Sequence, residues 1–256
     1  MTNPAKAYKN RAIFSTKDIE KMLEKADTIK DDYRRLRSRC LVALFKKFGK
    51  RRSELARLQL IDLIIEDTFL VITWTISKKH KKGLFQYIKF VKEQIKKGKL
   101  PLNYLDDKTY LQLNSEWKDW NKTKDGFKIK EEKRTKKLSI EDRYCKLVIE
   151  YLEYMKKNYP DSKFLFPSNT YSFGNLITVS PDYPLSGRQL LRLIKPLDKK
   201  AWCHLFRESK GAEIAKAYGN NLAGITEVKE TLDLEKEETA YIYTRRYAIQ
   251  EIKPEI

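Results

Sequence analysis

Two arginines, a histidine and a tyrosine, spread over some 190 residues, are the side chains of this sequence with the most chemistry to offer. Arg51 lies in Gly49-Lys50-Arg51-Arg52-Ser53-Glu54-Leu55, and His204 and Arg207 share the tetrad His204-Leu205-Phe206-Arg207. Tyr243 lies in Thr239-Ala240-Tyr241-Ile242-Tyr243-Thr244. A guanidinium is planar, permanently charged and bidentate towards oxyanions. Imidazole exchanges a proton near neutral pH, as a general base must. A phenol has a reference pKa of about 10. Each stretch alone is weak evidence. His-x-x-Arg occurs by chance in many helices, an Arg after Gly is usually a cap or a surface charge, and a C-terminal tyrosine is more often core than catalyst.

The background charge says what these groups would meet. The 256 residues include 54 Lys plus Arg against 35 Asp plus Glu, a formal net charge of +19. Such a surplus covers much of one face in positive potential and implies a polyanionic partner. With 41% hydrophobic residues, 12% aromatic, 9 Gly and 8 Pro, the chain is neither disordered nor collagen-like nor of low complexity. No apolar run approaches the ~18 residues of a membrane span, and the N-terminus has no apolar signal-peptide region. A soluble intracellular protein is expected, with no membrane partner. Cys40, Cys145 and Cys203 are scattered and read as small buried hydrophobes. With His80 and His204 the only histidines, a zinc site is improbable, so no metal is assigned.

The elements that must position these groups are mostly helical. Ser15 opens a helix carrying Ile19, Met22, Leu23 and Ala26, and a second runs from about Asp32 to Phe48, capped by Gly49. Ser53–Leu58 is a short helix. Residues 68–76 read as a strand, 78–83 as its turn and 84–90 as a returning strand. A Lys-rich, weakly patterned stretch follows, in which 116–137 carry 9 Lys/Arg against 5 Asp/Glu, together with Trp117, Trp120 and Phe127. It reads equally as a solvated insertion packing its tryptophans onto the main body or as a DNA-facing arm. Then come a short strand at 134–138, a helix from Ser139 to about Tyr159, a buried anchor at Phe164–Pro167, and helices near 186–195, 201–218 and 221–232. The expected fold class is α+β, predominantly helical, with one small antiparallel sheet.

Together the three stretches resemble the motif blocks of the tyrosine recombinases, the phage-integrase family. Residues 37–63 are similar to its first block, with Gly49, Arg51, Ser53, Glu54, Leu55, Leu58 and Asp62 falling on it without a gap. His204–Arg207, followed by Ser209, Gly211 and Ala212, is similar to the second, and the segment ending at Tyr243 to the third. The resemblance implies a catalytic domain over 13–256, after a basic leader at 1–12, with a Lys-rich insertion at about 84–133. It leaves no room before it for an N-terminal DNA-clamping domain.

The resemblance further implies a site-specific recombinase or integrase of a mobile element, archaeal or viral, acting on double-stranded DNA as a tetramer assembled on it. Tyr243 would attack a DNA phosphate to give a covalent 3′-phosphotyrosine. Arg51 and Arg207 would bind the charge of the transition state. His204 would take or relay the phenolic proton, and a lysine would protonate the leaving 5′-oxygen. No cofactor is implied. Lys78 is the chosen lysine, with Lys79, Lys128, Lys130 and Lys133 as alternatives. Tyr241 and Tyr247 are the rival tyrosines, Tyr241 being expected to pack against the domain. Leu234 stands nine residues before Tyr243, where the family carries a hydrogen-bonding His or Trp, with Lys236 as an alternative donor. A DNA-binding relative without chemistry, and a type IB topoisomerase, stay open beside the recombinase.

Overall fold

The structure is a computed structural model that describes residues 13–81, 83–123, 127–171, 177–219 and 221–251, with side chains left aside at 77–81, 127–131, 170, 171, 177 and 245–251. The chain divides into two compact units, one of residues 1–74 and 135–256, the other of 75–134.

The first unit is built on helices whose starts are written in the sequence. Helix α1 (Thr16–Asp27) begins with Ser15 and Asp18 satisfying each other's backbone N–H groups, a reciprocal cap. It buries Ile19, Met22, Leu23 and Ala26. Helix α2 (Asp32–Phe48) starts at Asp31, whose carboxylate accepts from the Arg34 N–H at 2.7 Å. It ends at Gly49, held at φ 53°, a conformation that costs any residue with a Cβ. The buried run from Cys40 to Phe45 marks α2 as the central helix. Helix α6 (Arg143–Asn158) packs along it, and Phe45 stacks on Phe206 with ring centroids 5.1 Å apart.

After α3 (Arg52–Ala56) and a single turn at Leu60–Asp62, strand β1 (Leu63–Glu66) pairs antiparallel with β2 (Phe69–Lys81), Leu63 opposite Ile72 and Glu66 opposite Phe69. Strand β3 (Phe127–Ser139) completes a sheet of order β1-β2-β3. A second sheet pairs β4 (Pro167–Tyr171) with β5 (Ile177–Pro184). The unit closes with α7 (Gly187–Ile194), α8 (Cys203–Tyr218), α9 (Leu222–Thr231) and α10 (Glu237–Glu251). Ile214, Val228, Leu232, Leu234, Ala240 and Tyr243 form a small separate core among these last helices.

The second unit has its own core. Helices α4 (Leu84–Lys96) and α5 (Tyr110–Trp120) bury Tyr87, Val91 and Trp120, with Phe90 and Trp117 packed against them. Tyr87 and Tyr104 both donate to the Glu116 carboxylate, at 3.0 and 3.2 Å, and Lys108 pairs with it at 2.8 Å.

Two expectations are corrected here. Residues 84–90 are not a returning strand but the first turns of α4. Leu84, Tyr87, Ile88, Val91 and Ile95 recur at helical spacing, which a seven-residue window is too short to reveal. The sheet is also not alone, because β4 and β5 make a second. Trp117 and Trp120 of the insertion belong to the core of their own unit. All three cysteines are buried and free. Among the described residues no helix is long and apolar enough to cross a membrane.

Candidate active site

Arg51 is the residue between the Gly49 cap and α3. Its side chain is half-exposed and held from within. Glu54, three residues on and buried, accepts from the Arg51 backbone N–H at 2.9 Å and from its guanidinium at 2.7 Å. One carboxylate thereby fixes both the backbone and the direction of a side chain whose outer edge stays in solvent.

Arg207 is the opposite case. It is 2% exposed on α8, with Nη1 donating to the carbonyl of Gly49 at 2.9 Å and Nη2 to the carbonyl of Leu232. Burial lowers its pKa and the charge of Arg51 adds to this, while Tyr243 and Glu54 act to raise it. A guanidinium has five N–H donors in a fixed fork, so these two carbonyls orient it without using all of its donors.

His204 sits one helical turn before Arg207. Its imidazole is half-exposed, with Nε2 3.2 Å from the carboxylate of buried Glu208. The ring meets Trp202 edge-on at 5.6 Å and lies 6.2 Å from the ring of Tyr243. A proton on Nε2 facing Glu208 leaves Nδ1 as the basic nitrogen.

Tyr243 is 7% exposed and reaches α8 because Gly211 has no side chain; a Cβ there would stand 2.8 Å from the Cβ of Tyr243. Arg51, Arg52, Trp202, His204 and Arg207 line one cavity of about 360 Å³, and no carboxylate is among its described lining residues. A pocket with three guanidiniums and an imidazole in its wall favours an anionic group.

The structure thus brings Arg51, His204, Arg207 and Tyr243 together from α2–α3, α8 and α10. Lys78, Lys79, Lys128 and Lys130 have side chains outside the described residues, as does Tyr247. Lys133 is exposed on β3 within the second unit. Tyr241, expected to pack against the domain, is 44% exposed, whereas Tyr243 is the buried one. Leu234 is buried beside Tyr243 in the small core and brings no polar group there, while Lys236 is exposed. Sequence reasoning gave no role to Glu54 or Glu208. Their offsets from Arg51 and His204, three and four residues, are the helical spacings at which opposite charges meet.

No family model matches the sequence, and no curated protein does. Solved structures do. XerH site-specific recombinase bound to its difH substrate, in a pre-cleavage complex, superposes with a TM-score of 0.52 at 17% identity, over 94% of this chain and 53% of that one. The same recombinase on a palindromic difH substrate, in a post-cleavage complex, gives 0.55 at 15%, over 97% and 54%. XerA recombinase gives 0.52 at 14%, over 100% and 68%. The fold is that of a tyrosine-recombinase catalytic domain. This tyrosine-recombinase fold spans about half the length of the XerH chains. At such identities the likeness is one of architecture, and the chemistry has to be argued from the side chains.

Proposed function

We propose that this protein is a site-specific DNA recombinase that cuts and rejoins strands through a 3′-phosphotyrosine. The observation that carries the reading is the cavity walled by Arg51, Arg52, Arg207 and His204, with no carboxylate among its described lining residues and the Tyr243 ring 6.2 Å from that of His204. The Tyr243 oxygen attacks phosphorus, a new P–O bond forms, and the bond from phosphorus to the 5′-oxygen breaks. The phenolic proton passes to His204, oriented by Glu208. The leaving 5′-oxygen takes a proton from a lysine, for which Lys78 is the assignment. Arg51 and Arg207 meet the charge that gathers on the non-bridging oxygens, each worth ~3–4 kcal/mol if it acts as an oxyanion-hole donor does. The bond energy stays in the protein–DNA link, so rejoining needs no external energy source. Assembly as a tetramer on two duplexes belongs to the same reading.

Incubation with a library of nicked duplexes should leave DNA covalently attached to the wild-type protein and none attached to Tyr243→Phe. An adduct that persists in Tyr243→Phe rules out this nucleophile. A second reading, a DNA-binding relative without chemistry, is favoured by apolar Leu234 packed beside Tyr243. Tight, salt-sensitive binding with no adduct on any duplex would select it.

A further inference from the structure

Lys50 stands between Gly49 and Arg51, yet its side chain is fully buried. Its ammonium is bonded to a carboxylate oxygen of Asp233, itself 4% exposed, and lies 5.2 Å from the centroid of the Trp74 ring. Burial lowers the pKa of Lys50, and Asp233 and Glu54 push it back towards the charged form. Asp233 takes φ 49°, the left-handed region that Asp and Asn tolerate better than most residues. Its other oxygen, Oδ1, is buried without a hydrogen-bond partner among the described residues.

A buried pair of this kind is a poor source of stability, because desolvation offsets the attraction. What distinguishes this one is where its ends are attached. The carbonyls that hold the Arg207 guanidinium belong to Gly49, the residue before Lys50, and to Leu232, the residue before Asp233. The ion pair therefore ties together the two backbone segments that cradle Arg207. One continues directly into Arg51, and the other leads into α10 and Tyr243.

We propose that Lys50 and Asp233 are positioning residues that set the Arg207 guanidinium, and with it the spacing of Arg51 and Tyr243, for attack on the phosphate; this rests on the recombinase reading above. Lys50 forms part of the wall of the cavity that Arg51 and Arg207 line, but its ammonium is given to Asp233. Without the pair, the turn after α9 is free to draw away from the α2–α3 junction, and one carbonyl of the cradle goes with it.

A single substitution strands a buried charge and can unfold the protein, so the deciding variant is the neutral double Lys50→Met with Asp233→Asn. Met keeps the unbranched stem, and Asn keeps the shape and the tolerance of positive φ. Thermal unfolding, affinity for a duplex recovered by the trapping experiment, and the single-turnover rate of adduct formation at saturating duplex are measured together. The ¹⁵N guanidinium signals of Arg207, assigned by their loss in Arg207→Lys, are followed in the same samples.

The expected result is an unchanged Tm, unchanged affinity, an adduct rate lowered by about ten- to a hundred-fold, and Arg207 signals in faster exchange. A folded double variant with the wild-type rate and unaltered Arg207 signals overturns the proposal. So does a double variant that fails to fold, since the pair is then merely structural. If the wild type traps no DNA, the recombinase reading falls, while the guanidinium signals still decide whether the pair positions Arg207.

Discussion

Gly211 on α8 and Tyr243 on α10 meet so closely that a methyl group on Gly211 would stand 2.8 Å from the Cβ of Tyr243 and 3.2 Å from its ring. The obstruction is a Cβ rather than the end of a flexible side chain, so α10 itself has to move. Gly211→Ala gains helix propensity of about 1 kcal/mol and pays an overpacking penalty of about 1–3 kcal/mol. The clash is expected to win, lowering Tm and withdrawing Tyr243 from Arg207. Thermal unfolding and the trapping assay check this. A raised Tm with full trapping would mean that the helix shifts without consequence.

Gly49 and Gly98 both have positive φ, 53° and 68°, but only Gly49 is crowded. A Cβ there meets Leu232 at 2.8 Å, Lys210 at 3.1 Å and Arg207 at 3.3 Å, while at Gly98 nothing lies within 4 Å. Gly98→Ala is expected to cost only the left-handed strain, about 1–2 kcal/mol. Gly49→Ala should cost more and should also disturb the carbonyl that Arg207 uses. Denaturant unfolding of the two variants side by side measures the difference, and equal losses would show that the packing around Gly49 yields freely.

The second unit carries seventeen Lys and Arg against eight Asp and Glu over residues 75–134. On α4, Lys89, Lys92 and Lys96 lie in line with exposed Phe85 on the face opposite buried Tyr87 and Val91, with exposed Glu93 at its flank. If this stripe follows a DNA backbone, replacing the three lysines by Gln should reduce the slope of log K against log salt by about 2.7. Titrations at several salt concentrations give that slope. An unchanged value would mark the stripe as a solvated face.

Asp142 caps α6 and pairs with Lys47 at 2.6 Å. Burial works to raise its pKa, but Lys47 and the N–H groups of Tyr144 and Cys145 together hold it below the ordinary 3.8. A carboxylate depressed in the folded state stabilises above its unfolded pKa and loses that contribution as pH falls through the folded value. Asp142→Asn keeps the cap and removes the charge, so it should cost about 1 kcal/mol at pH 7. The gap to wild type should begin to close as pH drops below about 3.8. Unfolding curves between pH 7 and pH 2 follow it, and a gap that stays constant with pH would remove Lys47–Asp142 as its source.

The helices around the site were legible because their signals are local. Ser15 with Asp18, Asp31 before α2 and Gly49 after it are each fixed by near neighbours in sequence. Strands β4 and β5 were not, since PSNTY and ITVSPDYP carry little alternation and their register depends on each other's pairing. Arg51, His204, Arg207 and Tyr243 could be named from motif and order. The buried partners that hold them could not be named so readily. Nothing within a few residues of Lys50 says that its charge is met 183 positions later by Asp233.

The hydroxyls of Thr73 and Thr135 stand 3.4 Å apart on neighbouring strands, and the chain between them leaves and re-enters the first unit there. Ends that close impose almost no geometric demand on what joins them. Loop closure grows by only about 0.6 kcal/mol for each doubling of length, so the β2–β3 stem accepts a short turn or a folded module at similar cost. Apart from Lys78, assigned to the chemistry, residues 75–134 are in that sense a cassette, open to shortening or exchange while the frame that holds Arg51, Arg207 and Tyr243 keeps its shape.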